Sequence, residues 1–273
     1  MNKKIINLQK IGKWIELSDR FWNESQIIYI SGYNLFGEKK GRWDIIYQGK
    51  EIGGRLYNEQ EYKSIKIGKW IELSVEFLSM NQVIYIGEYN KNGKKVCRWN
   101  IYFKEPYRNQ EYKQIEEWEN LGYLKEVVYI GEYNNEGHKI GRWDILFRGQ
   151  QIGGGEYNQW KGRTRKIGQW IDIQDEFWVS SQITVHDKYN LNGQKIDQWN
   201  TEYKGKIIGG GSYDQQDGYT KKIGSWIEFL EEFKDWNQIT YNGEYNQQGI
   251  KIGVWAEIDI KKNVVINQSK QYN

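Results

Sequence analysis

Nearly the whole chain is one repeat. The motif Y-N-x-x-G-x-K-x-G-x-W occurs five times: YNLFGEKKGRW (Tyr33–Trp43), YNKNGKKVCRW (Tyr89–Trp99), YNNEGHKIGRW (Tyr133–Trp143), YNLNGQKIDQW (Tyr189–Trp199) and YNQQGIKIGVW (Tyr245–Trp255). Successive Trp residues are 56, 44, 56 and 56 positions apart. A second motif, K-I-G-x-W-I-E/D, falls between them at Trp14, Trp70, Trp170 and Trp226, with a decayed copy, QIEEW, at Trp118. Both motifs share I-G-x-W, so each 56-residue unit is a doubled unit of about 28. The units run approximately 10–65, 66–113, 114–165, 166–221 and 222–273, within a single repeat domain. A unit this short cannot bury its own apolar face and must lean on its neighbours.

The short interval marks a break. The segment QGKEIGG at Gln48–Gly54 has no counterpart after Trp99, and the loop after Trp118 is four residues shorter than the one after Trp70. Lys104–Leu124 is therefore the irregular stretch, and it holds the only proline, Pro106. Two readings fit it: decay of one unit, or a bend or docking site.

Alternation and punctuation give the local structure. Four strands are expected per unit, represented by Ile27–Tyr33, Lys139–Phe147, Ile152–Tyr157 and Lys166–Ile173. The first ends in an N-x-x-G turn and the second in an R-G or Q-G turn, where glycine supplies positive φ. A polar loop joins the third to the fourth, and the loop DEFWVSSQ returns the chain to the next unit. Every connection is short, so neighbours should pair antiparallel. The expected fold is all-β: a single-chain antiparallel meander of about 20 strands, open and elongated, roughly 95 Å long at about 4.8 Å per strand. A five-bladed β-propeller is the rival, since five units of four strands describe it too. The glycine-free Val264–Asn267, where other units have IGGG, suits a terminal cap and favours the open array.

Composition agrees with thin sheet rather than thick core. The 273 residues include 14 Trp, 21 Tyr and 30 Gly but one Pro, and the mean hydropathy is −0.87. A disordered chain would be poor in aromatics. Within Lys139–Phe147, Gly141, Trp143, Ile145 and Phe147 share one face, so rings can lie over the bare backbone of neighbouring glycines. Each buried ring is worth about 4–6 kcal/mol before entropy. Trp14, Trp43, Trp70, Trp99, Trp118, Trp143, Trp170, Trp199, Trp226 and Trp255 form the expected structural ladder.

These motifs resemble the MORN repeat and its bacterial-type variant, in their Tyr-x-Gly-Glu-Tyr, Asn-x-x-Gly-x-Lys and Gly-Arg-Trp elements. The resemblance covers about residues 10–260 and implies an antiparallel β array serving as a scaffold, dimerisation module or membrane-proximal adaptor. The chain departs in its 56-residue double period, in Cys97 and Asp197 where the motif has Gly, and in Ser31 and Asp187 in place of the strand Gly.

Catalysis is not expected. The residues after Trp alternate between Asp44, Asp144 and Asn100, Asn200, so no carboxylate pair stands out. The glycine runs Gly153–Gly155 and Gly209–Gly211 lack the Lys-Ser/Thr and the helix of a phosphate loop, and read as sheet packing. One cysteine and two histidines, His138 and His186, which read as surface residues, are too few for a disulfide framework or the usual zinc sites. No cofactor and no metal are called for. With 39 basic and 36 acidic residues, bulk-charge nucleic-acid binding is not expected. No apolar run of membrane-spanning length occurs, and the N-terminus lacks a secretory h-region, so a cytoplasmic location is expected.

Charge placement is more telling than net charge. Lys39, Lys95, Lys139, Lys195 and Lys251 recur at one position of the first motif, and Lys10, Lys66, Lys166 and Lys222 at one position of the second. All nine should line one sheet edge, adjacent members about 10 Å apart, close enough for their fields partly to merge. They either protect strand ends and solubilise turns, or dock an acidic partner, whether protein or anionic membrane. The opposite edge carries acidic, aromatic loops in which Phe21, Trp22, Phe177 and Trp178 are either hairpin staples or loop anchors. The expected function is a non-catalytic scaffold for protein–protein interaction, suited to a cytoskeletal, cortical or ciliary assembly. A peripheral membrane adaptor and a carbohydrate-binding propeller are the alternatives.

Overall fold

The computed structural model describes residues 9–58, 63–104, 111–114, 127–174, 177, 181–216, 219–229 and 233–272. Among them there is no helix, and hence none long and apolar enough to cross a membrane. The chain forms one open antiparallel meander sheet of 19 strands. The strands are β1 (Gly12–Leu17), β2 (Ile27–Tyr33), β3 (Lys39–Tyr47), β4 (Lys50–Tyr57), β5 (Lys66–Leu73), β6 (Gln82–Tyr89), β7 (Lys95–Lys104), β8 (Lys113–Gln114), β9 (Val127–Tyr133) and β10 (Lys139–Phe147). They continue as β11 (Gln150–Trp160), β12 (Arg163–Ile173), β13 (Ile183–Tyr189), β14 (Lys195–Tyr203), β15 (Lys206–Gln216), β16 (Tyr219–Phe229), β17 (Ile239–Tyr245), β18 (Lys251–Asp259) and β19 (Val264–Tyr272). A propeller needs separate radial sheets, so a single sheet rules out the five-bladed alternative.

Two compact units are present: one of Met1–Glu126, Ile130–Lys139 and Phe147–Gln150, the other of Val127–Tyr129, Ile140–Leu146 and Gln151–Asn273. In the first, the core gathers Ile27, Tyr33, Trp43, Ile45, Tyr47, Trp70, Phe77, Ile84 and Trp99. In the second, one core cluster holds Ile183, Tyr203, Ile208 and Phe233.

Local chemistry explains the hairpins. The Asn of each N-x-x-G turn folds back on the loop: Asn90 Oδ1 accepts the amides of Asn92 at 2.9 Å and Lys94 at 3.0 Å, and Asn190 repeats this with Asn192 and Gln194. Two-residue turns such as Arg148-Gly149 place both residues at positive φ, the twist-matched geometry for tight hairpins. The expected polar loop between the third and fourth strands of a unit is replaced in the second unit. There β11 and β12 continue to Trp160 and Arg163, joined by Lys161-Gly162 at φ 50° and 73°. The polar alternation of Asn158–Arg165 suits a two-sided exposed ribbon as well as a loop. At the other end of the repeat logic, Val264, Val265 and Ile266 are about half exposed rather than covering a core.

The glycine of I-G-x-W has φ near +60° to +80° in every described copy, a conformation an L side chain rarely adopts. Cys97 and Asp197 take its place at φ 58° and 61°.

The sheet of the first unit coils. Arg20, in the loop after β1, donates to the Val75 carbonyl at 2.9 Å in the loop after β5, and the Ser79 amide donates to the Glu24 carbonyl at 2.8 Å. Those loops lie four strands apart in the sheet order, so the sheet must curl to bring them together. In the second unit Ser181 Oγ donates to the Phe233 carbonyl at 3.3 Å in the equivalent way.

Candidate functional site

The ladder forms on the inner face. In the first unit Trp43, Tyr57, Trp70, Tyr89 and Trp99 succeed one another edge to face, with centroids 5.7, 5.2, 6.2 and 5.2 Å apart. In the second, Trp143–Tyr157–Trp170 and Tyr213–Trp226–Tyr245–Trp255–Tyr272 do the same. Such contacts add about 0.5–1.5 kcal/mol each beyond area burial. Trp14, on β1, is 40% exposed and Trp118 lies outside the described residues. Bare glycine backbone makes the room: a Cβ on Gly87 would sit 2.2 Å from the Trp99 ring, and one on Gly155 or Gly211 would strike Trp170 or Trp226. The last glycine of each run is therefore a ring seat, and the two before it lie against the backbone of neighbouring strands.

The repeated lysines are seated on this ladder. Lys95 and Lys251 lie 3.7 and 3.8 Å from the centroids of Trp99 and Trp255, and Lys66, Lys166 and Lys222 lie 4.4–4.6 Å from those of Trp70, Trp170 and Trp226. Each also meets a carboxylate. Glu72 accepts Lys66 and, at 2.8 Å, the Tyr89 hydroxyl on one oxygen, and Lys95 at 2.9 Å on the other. Glu228 does likewise with Lys222 at 2.5 Å, Tyr245 at 2.7 Å and Lys251 at 2.8 Å. Burial alone would raise these carboxyls, but the flanking lysines hold both below the ordinary value. Burial beside the carboxylates pushes the hydroxyls of Tyr89 and Tyr245 well up.

Two copies differ, at one repeat position. In β13, Asp187 stands where β6 and β17 have Gly87 and Gly243. Asp172, a methylene shorter than Glu72, spends both oxygens on Lys166 at 2.5 and 2.6 Å. Asp187, almost wholly buried, then receives Lys195 at 2.8 Å and the Tyr189 hydroxyl at 3.2 Å. In this copy Trp199 stacks on Trp226 at 5.4 Å and 27°. In β2 the same position is Ser31. Its hydroxyl donates to Glu16 Oε2 at 3.2 Å, beside the Tyr33 hydroxyl at 2.5 Å, while Lys10 holds Oε1.

Of the nine repeated lysines, Lys10, Lys66, Lys95, Lys166, Lys195, Lys222 and Lys251 each have a carboxylate partner. Lys139 also has an interaction partner. Lys39 lies 3.8 Å from the Trp43 centroid with no carboxylate among the described residues. The pairing was visible in the sequence: a carboxylate stands six residues after each second-motif lysine, an even spacing that keeps both on one face of a strand. Among the loop anchors, Phe21 and Trp22 are 40% and 51% exposed. Phe177 is buried, as are its counterparts Phe77, against Tyr47, and Phe233, against Tyr203, so it is a staple and not an anchor. Trp178, and the irregular 104–124 stretch apart from Lys104 and residues 111–114, lie outside the described residues. His138 and His186 are partly exposed beside Glu136 and Glu202.

Compared with known proteins, the chain matches no protein-family model and no curated sequence.

Proposed function

We propose that the chain is a non-catalytic repeat scaffold that binds other proteins. The observation that supports this is the set of large apolar side chains left exposed on the loops: Trp22 at 51%, Val75 at 76%, Met80 at 41% and Trp236 at 72%. Aromatic and methionine side chains of this kind are enriched where proteins dock on one another. The ionisable groups are repeated, not singular, and are engaged in holding lysine onto tryptophan along the ladder. A lipid surface read by the lysine edge is less favoured, since most of those charges are already matched by carboxylates of the chain.

A cytoskeletal, cortical or ciliary assembly is the setting that suits such a scaffold. Extraction of source cells with detergent, then with detergent and salt, tests it. The scaffold is expected to stay with the insoluble skeleton in detergent alone. Full release by detergent alone, together with flotation on anionic liposomes, would overturn the reading.

A further inference from the structure

The first repeat lacks a bond that other copies keep. At the position of Lys39, Lys95, Lys195 and Lys251 each reach a carboxylate oxygen at 2.8–2.9 Å. By the repeat, the partner of Lys39 should be Glu16 Oε2, as Glu72 Oε2 is that of Lys95. Ser31 has taken that oxygen, together with Tyr33. Lys39 is therefore left over the Trp43 ring with no carboxylate partner among the described residues, half-buried, and with Lys66 and Lys10 as like-charged neighbours.

The vacancy opens onto a cavity. A trough of about 700 Å³ runs along the inner face of β1–β5, and Lys39, Trp43, Tyr57, Lys66, Glu16 and Glu72 are among its lining residues. That volume is in the range of ligand sites. Its aromatic walls lower the local dielectric, which strengthens an ion pair made inside.

We propose that this trough is a carboxylate-binding site in which Lys39 takes the carboxylate of a ligand. Carboxylate is favoured over phosphate for two reasons. The chain itself places a carboxylate on the equivalent lysine in three other copies, and Glu16 and Glu72 on the walls would repel a dianion. A Glu or Asp side chain of a partner protein and a small free carboxylate present the same chemistry. The site does not rest on the scaffold reading, because binding is measured on the purified chain and the extraction result does not bear on it.

The test is titration of the full chain with acetate, glucuronate and a blocked Ala-Glu-Ala peptide, following the Trp43 indole N–H by NMR, with the Ala-Gln-Ala peptide as control. A saturable shift with at least one carboxylate and none with the Gln peptide is expected. Binding should weaken at least tenfold in K39M, and also in S31G, which frees Glu16 for Lys39. K251M, outside the trough, should bind as the parent does. Saturation by the peptide alone identifies a protein side chain as the source, and equal saturation by acetate or glucuronate a small ligand. The proposal is overturned if no carboxylate saturates, if the Gln peptide binds equally, or if folded K39M and S31G bind as tightly as the parent.

Discussion

The copies built around Ser31 and Asp187 start from the same backbone and reach opposite ends. Both put a polar side chain where Gly87 and Gly243 leave a ring seat. Ser31 adds a donor, which ties up Glu16 and leaves Lys39 without an acid among the described residues. Asp187 adds an acceptor, which replaces the reach that Asp172 lacks and gives Lys195 and Tyr189 a partner, at the expense of the Trp199 seat. One substitution subtracts a charge partner and keeps the ring; the other adds a partner and moves the ring. A repeat position that looks like simple decay can thus decide which charges a sheet keeps for itself.

The largest effect should separate the ladder from the displaced ring. Trp226 is 1% exposed and touches Trp199, Tyr213 and Tyr245, so Trp226→Ala should cost about 3–5 kcal/mol in denaturant unfolding. Trp199→Ala, removing a half-buried ring already out of the ladder, should cost less than half of that. Equal costs would mean that Asp187 has not taken Trp199 out of its structural role.

The carboxylates come next. Glu72 and Glu228 are held below their ordinary value of 4.5 in the folded chain. Near that pH the unfolded chain therefore binds more protons, so the stability they supply is complete above about pH 4.5 and is lost as pH falls through the lowered values. Glu72→Gln should lower stability at pH 7 by about 1–2 kcal/mol and flatten the acid limb of the stability–pH curve. An unchanged acid limb in the double variant with Glu228→Gln would show that the lysine pairs contribute nothing.

A finer test rebuilds one copy as another. Asp187→Gly removes the partner of Lys195, and Asp172→Glu crowds a site already satisfied, so each alone should destabilise. Together they recreate the Glu72–Gly87 arrangement, and the pair should couple favourably by about 1 kcal/mol in a double-mutant cycle. Additive costs would break the link between the two positions. The smallest effect is expected at Cys97, exposed at φ 58° where three other copies have glycine; Cys97→Gly should stabilise by about 0.5–1 kcal/mol.

Much of the fold was legible because its signals are local. Period-2 alternation, the N-x-x-G turns and the Trp–Gly spacing set Ile27–Tyr33 and Lys139–Phe147 to the residue. The hairpin at Lys161-Gly162 was hidden by its polarity, since both faces of that ribbon meet water. The six-residue step from Lys66 to Glu72 and from Lys166 to Asp172 shows in the sequence, whereas Tyr89 and Lys95 reach Glu72 from the next two strands, and only the register of the sheet brings them there. Ser31 and Asp187 stood out in the sequence as departures. Their consequences depend on how far a hydroxyl or a carboxylate reaches across a twisted sheet, which pattern alone does not carry. For Phe177 the sequence leaves staple and anchor both open, because its loop is polar, and the burial of the ring decides for the staple.

Ser31 diverts Glu16 from Lys39. Burial, with Lys66 and Lys10 nearby, holds the Lys39 ammonium below the ordinary value of 10.5. The most direct measurement is the NMR titration of the Lys39 side-chain nitrogen in the parent and in Ser31→Gly. A lowered titration point is expected in the parent, rising in the variant as Glu16 turns to Lys39. A Lys39 that titrates at or above its ordinary value, or one that Ser31→Gly leaves unmoved, would contradict it.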